Sequence, residues 1–495
     1  MKINMTLSKS QYIRGLQCHK SLWLYKNKPE LRETPNQAQE SLFNTGYDVG
    51  DLAKQLFPNG VEIEFDSSNF DGMITKTKEL INNGCEVIYE ATFKENGIFA
   101  MADILVKNGD CWDIYEVKAS TNVKEYHLND ASVQWYSLSN TINLNKVYIV
   151  HINNSYEKNG TLDIKNLFSI VDITEEVQNR QYQIPFNIEQ MDLMLKDNMP
   201  NIDIGAHCSD PNGCDFEGHC WSHIPNPSVF NLYWMNGAKK FEMYYKGLIT
   251  YEDIPSDFAL NTTQKLQIET FKSNEPFVDK SIIKDFIETV KFPINFFDFE
   301  TFQNAIPRFD NQRPYMQIPF QYSLHILHED GRLEHKEFLG DENSDPRDAL
   351  ITQMLSDITP NGSIMAYNQS FEITRIKELA NYKIEKKYEL LALVDRFVDL
   401  IVPFRGRGYY HPNFNGSFSI KSVLPSMFPN NDELNYKKLG SIQNGGDAMD
   451  TFANLHLLKD TSKREEIRKD LLAYCHLDTL AMVRIFEKLK EIVKN

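Results

Sequence analysis

Three observations predict an α/β protein built as two sheet-bearing units. A helix-like stretch over residues 35–57 precedes three strand-like runs, a helix and one more strand. A second series of strand-like runs opens at Asn295–Phe302, NFFDFETF. Between the two lies a polar stretch with helical patterning. Helices interleaved with mixed strands are the signature of layered α/β domains.

The elements follow in order. The first helix ends near LFPNG, and the runs EVIYEATF, IFAMADILVKN and CWDIYEVKAS are separated by Gly, Asn and Asp turns. NDASVQWYSLSNTI reads as a helix and KVYIVHIN as a strand, giving a mixed sheet. Residues 185–225 read as irregular, and 226–291 as a helical connector. The second unit, 292–495, takes NFFDFETF, FQYSLHIL and RLEHKEFLG as strands, PRDALITQMLSDI as a helix and SIMAYN as a strand. It closes with a long amphipathic helix from SKREEIRKD onward.

At 495 residues the chain is too long for one ordinary domain. Its 41% hydrophobic and 24% charged residues are those of a globular protein, and no apolar run reaches membrane-spanning length. The start, MKINMTLSKSQYIRGLQCHK, lacks the apolar core of a signal peptide, so a cytoplasmic location is expected. A net charge of −17 argues against a broadly basic nucleic-acid binder. It leaves room for enzymes that hold divalent metals on carboxylates and meet phosphates through those metals.

In a reducing compartment the seven cysteines are not disulfides. Cys85, Cys111 and Cys475 sit in apolar or strand-like surroundings and read as small hydrophobes. HCSDPNGCDFEGHCW instead places Cys208, Cys214 and Cys220 at C-x5-C-x5-C in one loop. Cys18 is the remaining cysteine outside strand-like sequence, and thiolates favour iron–sulfur centres or zinc. Zinc stays open because His207, His219 and His223 lie nearby. The pattern SxSQYIxGLQCxKSLWL, a nuclease-like core and then three cysteines resembles the iron–sulfur RecB-type nucleases. That resemblance covers residues 5–225 and implies a 4Fe-4S cluster on Cys18, Cys208, Cys214 and Cys220, stapling the two ends of the domain. The C-x5-C-x5-C spacing is looser than the C-x2-C-x5-C of some members.

Within the same stretch, MADILVK supplies Asp103 and YEVKAS supplies Glu116 and Lys118. An i, i+2 pair on one strand face, with a carboxylate from the next strand, is an oxygen-ligand site for Mg2+ or Mn2+. A lysine beside it would orient the attacking water. The D…ExK pattern resembles the PD-(D/E)xK nucleases, implying a restriction-endonuclease-like sheet with Asp103, Glu116 and Lys118 as catalytic residues and the two acids as metal ligands. Gln134 and Tyr136 match the family's Q-x-x-Y region in part. Where the family carries a histidine, GYDVG places Gly50; Glu90 is a substitute ligand or a strand-surface residue.

NFFDFETF puts Asp298 and Glu300 on one face of an apolar strand, where like charges destabilise each other unless a cation intervenes. AYNQSFE adds Asn368 and Glu372, and YCHLD adds Tyr474 and Asp478 at i, i+4. The set resembles the DEDDy branch of RNase H-like 3′–5′ exonucleases over residues 292–492, with Ser419–Pro425 matching a segment before the final helix. The resemblance implies that Asp298, Glu300, Glu372 and Asp478 ligate two metals while Tyr474 orients the attacking water. Glu372 stands where aspartate is usual, and its extra methylene moves the carboxylate by about 1.5 Å. His476 falls off the Tyr474–Asp478 spacing and reads as structural.

Both halves in this order resemble a bacterial family of unknown function joining an iron–sulfur RecB-like domain (1–225) to an RNase H-like domain (292–495). The resulting expectation is a metal-dependent nuclease acting on DNA ahead of RNA, in processing, repair or defence, with a helicase or similar protein as partner. The alternatives are a nucleic-acid-binding scaffold with degenerate sites, and a zinc-stapled nuclease. VPFRGRGYYHPNFNGSF, with Arg405, Arg407, Tyr409, Tyr410, His411 and Phe414, reads equally as a single-strand platform or a surface loop. Lys20, Lys26 and Lys28 read as a solvated helix end.

Overall fold

The computed structural model describes residues 6–494 and shows a mixed α/β protein divided into two compact units. The first takes the chain to His223 and adds Asn304–Tyr315; the second takes Ile224–Gln303 and the chain from Met316 onward.

The first unit holds a seven-stranded sheet: Leu7–Ser8 (β1), Val61–Glu62 (β2), Val87–Glu95 (β3), Ile98–Asn108 (β4), Cys111–Lys118 (β5), Leu144–Ile152 (β6) and Phe168–Asp172 (β7). Its order is β2-β3-β4-β5-β6-β7, with β1 parallel to β4. β3, β4 and β5 form an antiparallel meander, and β5 runs parallel to β6 through the crossover helix Glu125–Leu138. That helix buries Ala131, Val133 and Leu138 against Ile114 and Ile149. On the other face, Val49 and Ala53 of the helix Gln37–Ala53 join Val117, Val150 and Ile152. Period-two alternation along β5 therefore assigns Glu116 and Ile114 to the crossover-helix face. Ala305, Ile306 and Tyr315 of the returning segment pack into the cluster that holds Val117.

Residues 184–195 correct the expectation of irregular chain: they form a helix, Ile184–Leu195. Ile184, Ile188 and Met191 recur at helical spacing and are buried, and Pro185 sits in the first turn, where its missing N–H costs nothing.

The second unit opens with three helices, Gly237–Tyr245, Thr262–Ser273 and Lys280–Thr289. Val229, Leu232, Met243, Tyr251 and Ile268 give this region an apolar cluster of its own. Phe277–Val278 (β8) pairs much later with Tyr409–Tyr410 (β14) as a short ribbon. Between them a five-stranded sheet is built from Ile294–Phe302 (β9), Ile318–Leu327 (β10), Leu333–Leu339 (β11), Ser363–Ala366 (β12) and Phe397–Asp399 (β13). The order is β11-β10-β9-β12-β13, antiparallel on the β10 side and parallel on the β12 side. Gly362 leads into β12 at φ 82°, and a Cβ there would lie 2.0 Å from the Pro293 carbonyl, so no side chain fits.

β9 is central and nearly all buried. Phe297 and Phe299 face Leu350, Met354, Ile376 and Leu379 from helices Arg347–Asp357 and Ser370–Tyr382. Phe296 faces the other way, against Phe486 of the long helix Thr461–Lys494. Asp298 and Glu300 share the Phe296 face by strand alternation.

Candidate metal centres

Cys18 sits between helices Lys9–Gln17 and His19–Asn27, capping one and starting the other. It lines a small cavity with Cys208, Cys214 and Cys220, shared with Lys20, Ser21, Ile204 and Phe216. The chain ends are fastened around it. Arg14 makes a bidentate pair with Asp215 (2.5 and 2.9 Å), and Arg32 adds a third contact to the same carboxylate. Gln17 donates to the carbonyls of His207 and Asn212. Burial pushes the Cys18 and Cys220 thiols up, and the neighbouring sulfurs add to it. Four thiols facing one cavity fit a thiolate-bound metal or cluster. Of the nearby histidines, His207 lines the cavity. Lys20 donates to the Ile202 carbonyl beside it. Cys85 donates to the Val87 carbonyl instead.

Asp103, Glu116 and Glu90 come together on adjacent strands. The β4–β5 ladder runs from Asn108↔Cys111 to Ile104↔Tyr115, and just beyond it the Asp103 carboxylate accepts the Val117 N–H at 2.7 Å. Across β3, Glu90 interrupts the register opposite Asp103 with φ 56°. A left-handed glutamate inside a strand is strained, a conformation found where surroundings over-determine a site. Burial and Asp103 raise Glu90 to about 8, while burial and Glu116 raise Asp103 to about 6.

Glu116 is already neutralised. Lys9 reaches it at 2.5 Å and Lys118 at 2.8 Å, and Gln134 donates to its other oxygen at 2.9 Å. Both lysines also meet Asp130, at 3.4 and 2.6 Å. Burial would raise the Asp130 carboxyl, but Lys118 and Lys9 outweigh it and hold the group far below its usual range. Lys9 and Asp130 escaped the sequence reading because only the fold brings the first turn of one helix to the crossover helix. Tyr136 packs partly buried against the core. Gly50 has open space where a Cβ would go, so a larger side chain is not excluded sterically.

In the second unit Asp298, Glu300 and Asp478 bring carboxylate oxygens within 4.8 Å of one another. Glu372, in the first turn of Ser370–Tyr382, stands outside that trio, yet its charge still raises Asp298 and Glu300. Burial is the leading cause at each group. Asp298 is pushed up further by Asp478 and Glu300, Glu300 by Asp478. Glu372 rises to about 8 through burial aided by Asp399. Asp478 reaches about 6, burial being opposed by a 2.5 Å hydrogen bond from the Tyr436 hydroxyl. One Glu372 oxygen is buried without a partner. Tyr474 is buried beside Tyr436, ring centroids 5.9 Å apart, with Lys421 about equally close to both rings. Cys475, taken from sequence as a packed hydrophobe, is buried with its sulfur 3.9 Å from Asp298. Tyr436 and Lys421 carried no motif and were missed.

The glycine-rich stretch after Val402 is not an open platform. Tyr409, Tyr410 and Phe414 are buried. Arg405 instead donates to Asn368 at 3.2 Å and lines a pocket with Tyr233, Trp234 and Tyr367. Trp234 is 85% exposed and stacks on Tyr233.

Among the described residues no helix is long and apolar enough to cross a membrane. No solved structure matches the chain. The chain is 28% identical to the uncharacterized protein UU173 of Ureaplasma parvum over 50% of its own length and 38% of the relative's. It is likewise 28% identical to the uncharacterized protein MG366 of Mycoplasma genitalium, over 48% of this chain and 38% of that one. The chain thus matches well under half the length of these curated relatives. The profile of a domain of unknown function, DUF2779, matches residues 295–419, from β9 to the loop before Ile420.

Proposed function

We propose that this protein is a divalent-metal-dependent nuclease whose working centre is the Asp298–Glu300–Glu372–Asp478 pocket, with the resemblance to RNase H-like exonucleases as its support. The observation that carries the reading is electrostatic. Three buried carboxylates lie within 4.8 Å of one another, and Glu372, whose charge two of them feel, has one buried oxygen without a partner. Uncompensated carboxylates at that distance destabilise the fold, and an oxygen-loving dication removes the cost. Lys421 offsets part of the charge at Glu300 and Asp478, and Arg375 part of that at Glu372.

Asp298, Glu300 and Asp478 would hold Mg2+ or Mn2+, with Glu372 reaching in from the helix start. When bound, such ions lower the pKa of water and stabilise charge on a phosphodiester. Tyr436 fixes the Asp478 carboxylate, Tyr474 would orient the attacking water as the resemblance implies, and Lys421 would offer a contact for a phosphate oxygen. Divalent-ion-dependent digestion of labelled single-stranded and duplex DNA and RNA tests this. Loss of cleavage in Asp298→Asn supports it; undiminished cleavage in that variant overturns it.

The first centre reads differently. The resemblance to PD-(D/E)xK nucleases offers Asp103, Glu116 and Lys118 as a second cleavage site. Yet Lys9 and Lys118 already occupy the electrostatic role of a metal there. Paired in this way, the two lysines weaken the pull of this centre on a dication. The four thiols fit a 4Fe-4S cluster that ties the ends of the first unit. A brown protein after anaerobic purification, colourless as Cys18→Ser, checks it; colourless wild type with bound zinc favours the zinc staple. A helicase or other repair or defence protein that delivers DNA is the matching partner.

A further inference from the structure

We infer that His325, His335 and His476 form a transition-metal site, of the zinc class, separate from the carboxylate pocket and from the cysteine cavity. His325 and His335 are direct cross-strand partners on β10 and β11. His476 reaches them from the helix Thr461–Lys494. One nitrogen from each ring lies within 4.8 Å of the other two, and the ring centroids are 4.3 to 4.7 Å apart.

The spacing is that of a ligand set. Two imidazole nitrogens on one tetrahedral zinc, each at 2.0–2.1 Å, stand about 3.3 Å apart. His335 Nε2 and His476 Nδ1 are separated by 3.2 Å. His335 Nε2 also lies 3.0 Å from Ser323 Oγ, which leads through Thr479 to His325, so hydrogen bonds already hold the three rings together and an ion would take His335 Nε2 over from Ser323. The surroundings suit a metal as well. Thr479 Oγ1 lies 2.8 Å from His325 Nδ1 and 2.7 Å from Ser323 Oγ, fixing the innermost ring, as outer-shell partners of metal-bound histidines do. Glu337 brings a carboxylate oxygen 4.0 Å from His335 Nε2 at the rim, placing a fourth ligand or a water-holding group there. His325 is buried and His335 lies at the surface, so an ion has a way in.

Imidazole nitrogens with a rim carboxylate select zinc-like ions over Mg2+. His476 lies two residues from Asp478 and so about 200° around the helix from it. The histidine site therefore clamps the opposite flank of the helix that carries Tyr474 and Asp478, pinning it to the β10–β11 hairpin.

Cobalt(II) separates this site from the cysteines, because thiolate ligands add charge-transfer bands that histidine ligands lack. The full chain, stripped with a chelator and titrated with Co2+, is expected to show a histidine-type tetrahedral spectrum. That spectrum should be lost, or its affinity reduced at least tenfold, in His335→Ala and in His476→Ala, and retained in Cys18→Ser. Co2+ binding unchanged in both histidine variants overturns the site. For the unaltered protein, Zn2+ should protect His335 and His476, the two accessible rings, from carbethoxylation, read by peptide mass spectrometry; absence of protection at both also overturns it.

Discussion

Asp298 and Glu372 show how a single carboxyl reports on the pocket it lines. Both are raised by burial first and by like charges second. Replacing Asp298 with Asn removes one of those charges while keeping its shape. Cleavage is expected to fall roughly 100-fold or more, while the chelator-treated protein melts a few degrees higher; calorimetry of both forms checks the second part. The pH dependence has a definite sign. Glu90 and Glu372 at about 8, and Asp103 and Asp478 at about 6, hold protons in the folded chain that the unfolded chain has lost. Their stabilising contribution is complete below about 4, the ordinary carboxyl value, and drains away as pH climbs through 6 and 8. Metal-free melting temperature should therefore decline over that window, and Mg2+ should restore it most at the alkaline end. Binding of Mg2+ at pH 7 should release protons, measurable by calorimetry in buffers of different ionisation enthalpy.

Elements decide what was legible. Asp298 and Glu300 could be read because a strand repeats every two residues, and Tyr474 with Asp478 because a helix repeats near four. Glu116 and Lys118 followed from the same strand rule. Lys9, Asp130, Tyr436 and Lys421 could not be read, since each is brought in by packing between elements remote in sequence. The strained backbone of Glu90 has no sequence signature at all, and the helix Ile184–Leu195 was obscured by Pro185 and the glutamine-rich turn before it. The lysine–carboxylate knot is an element-scale prediction too: Lys9→Met strips one cation from the Glu116 pair. Asp103 and Glu116 should then bind Mn2+ more tightly than in wild type, by titration with Asp298→Asn as background. Trp234, exposed on Tyr233 beside Arg405, offers a base a stacking surface. Trp234→Ala should weaken single-strand affinity by about 1–3 kcal/mol, read by fluorescence anisotropy in Ca2+, where binding is seen without turnover.

At the scale of the whole molecule, the sequence shows two sheet-bearing units but not where the chain changes allegiance. Asn304–Tyr315 belongs to the first unit although both its flanks belong to the second. Apolar Ala305, Ile306 and Tyr315 sit among Val117 and Val150, and the Tyr315 hydroxyl donates to the Ala119 carbonyl. Backbone bonds link Asn311 and Gln312 with Lys158 in both directions. A fragment cut after His223 would leave that slot bare, so it should aggregate or melt early. Adding the dodecapeptide 304–315 in trans should shift its melting curve upward. Evolution of this chain by shuffling whole genes is constrained in the same way, because one half cannot be exchanged without taking along a splinter embedded in the other.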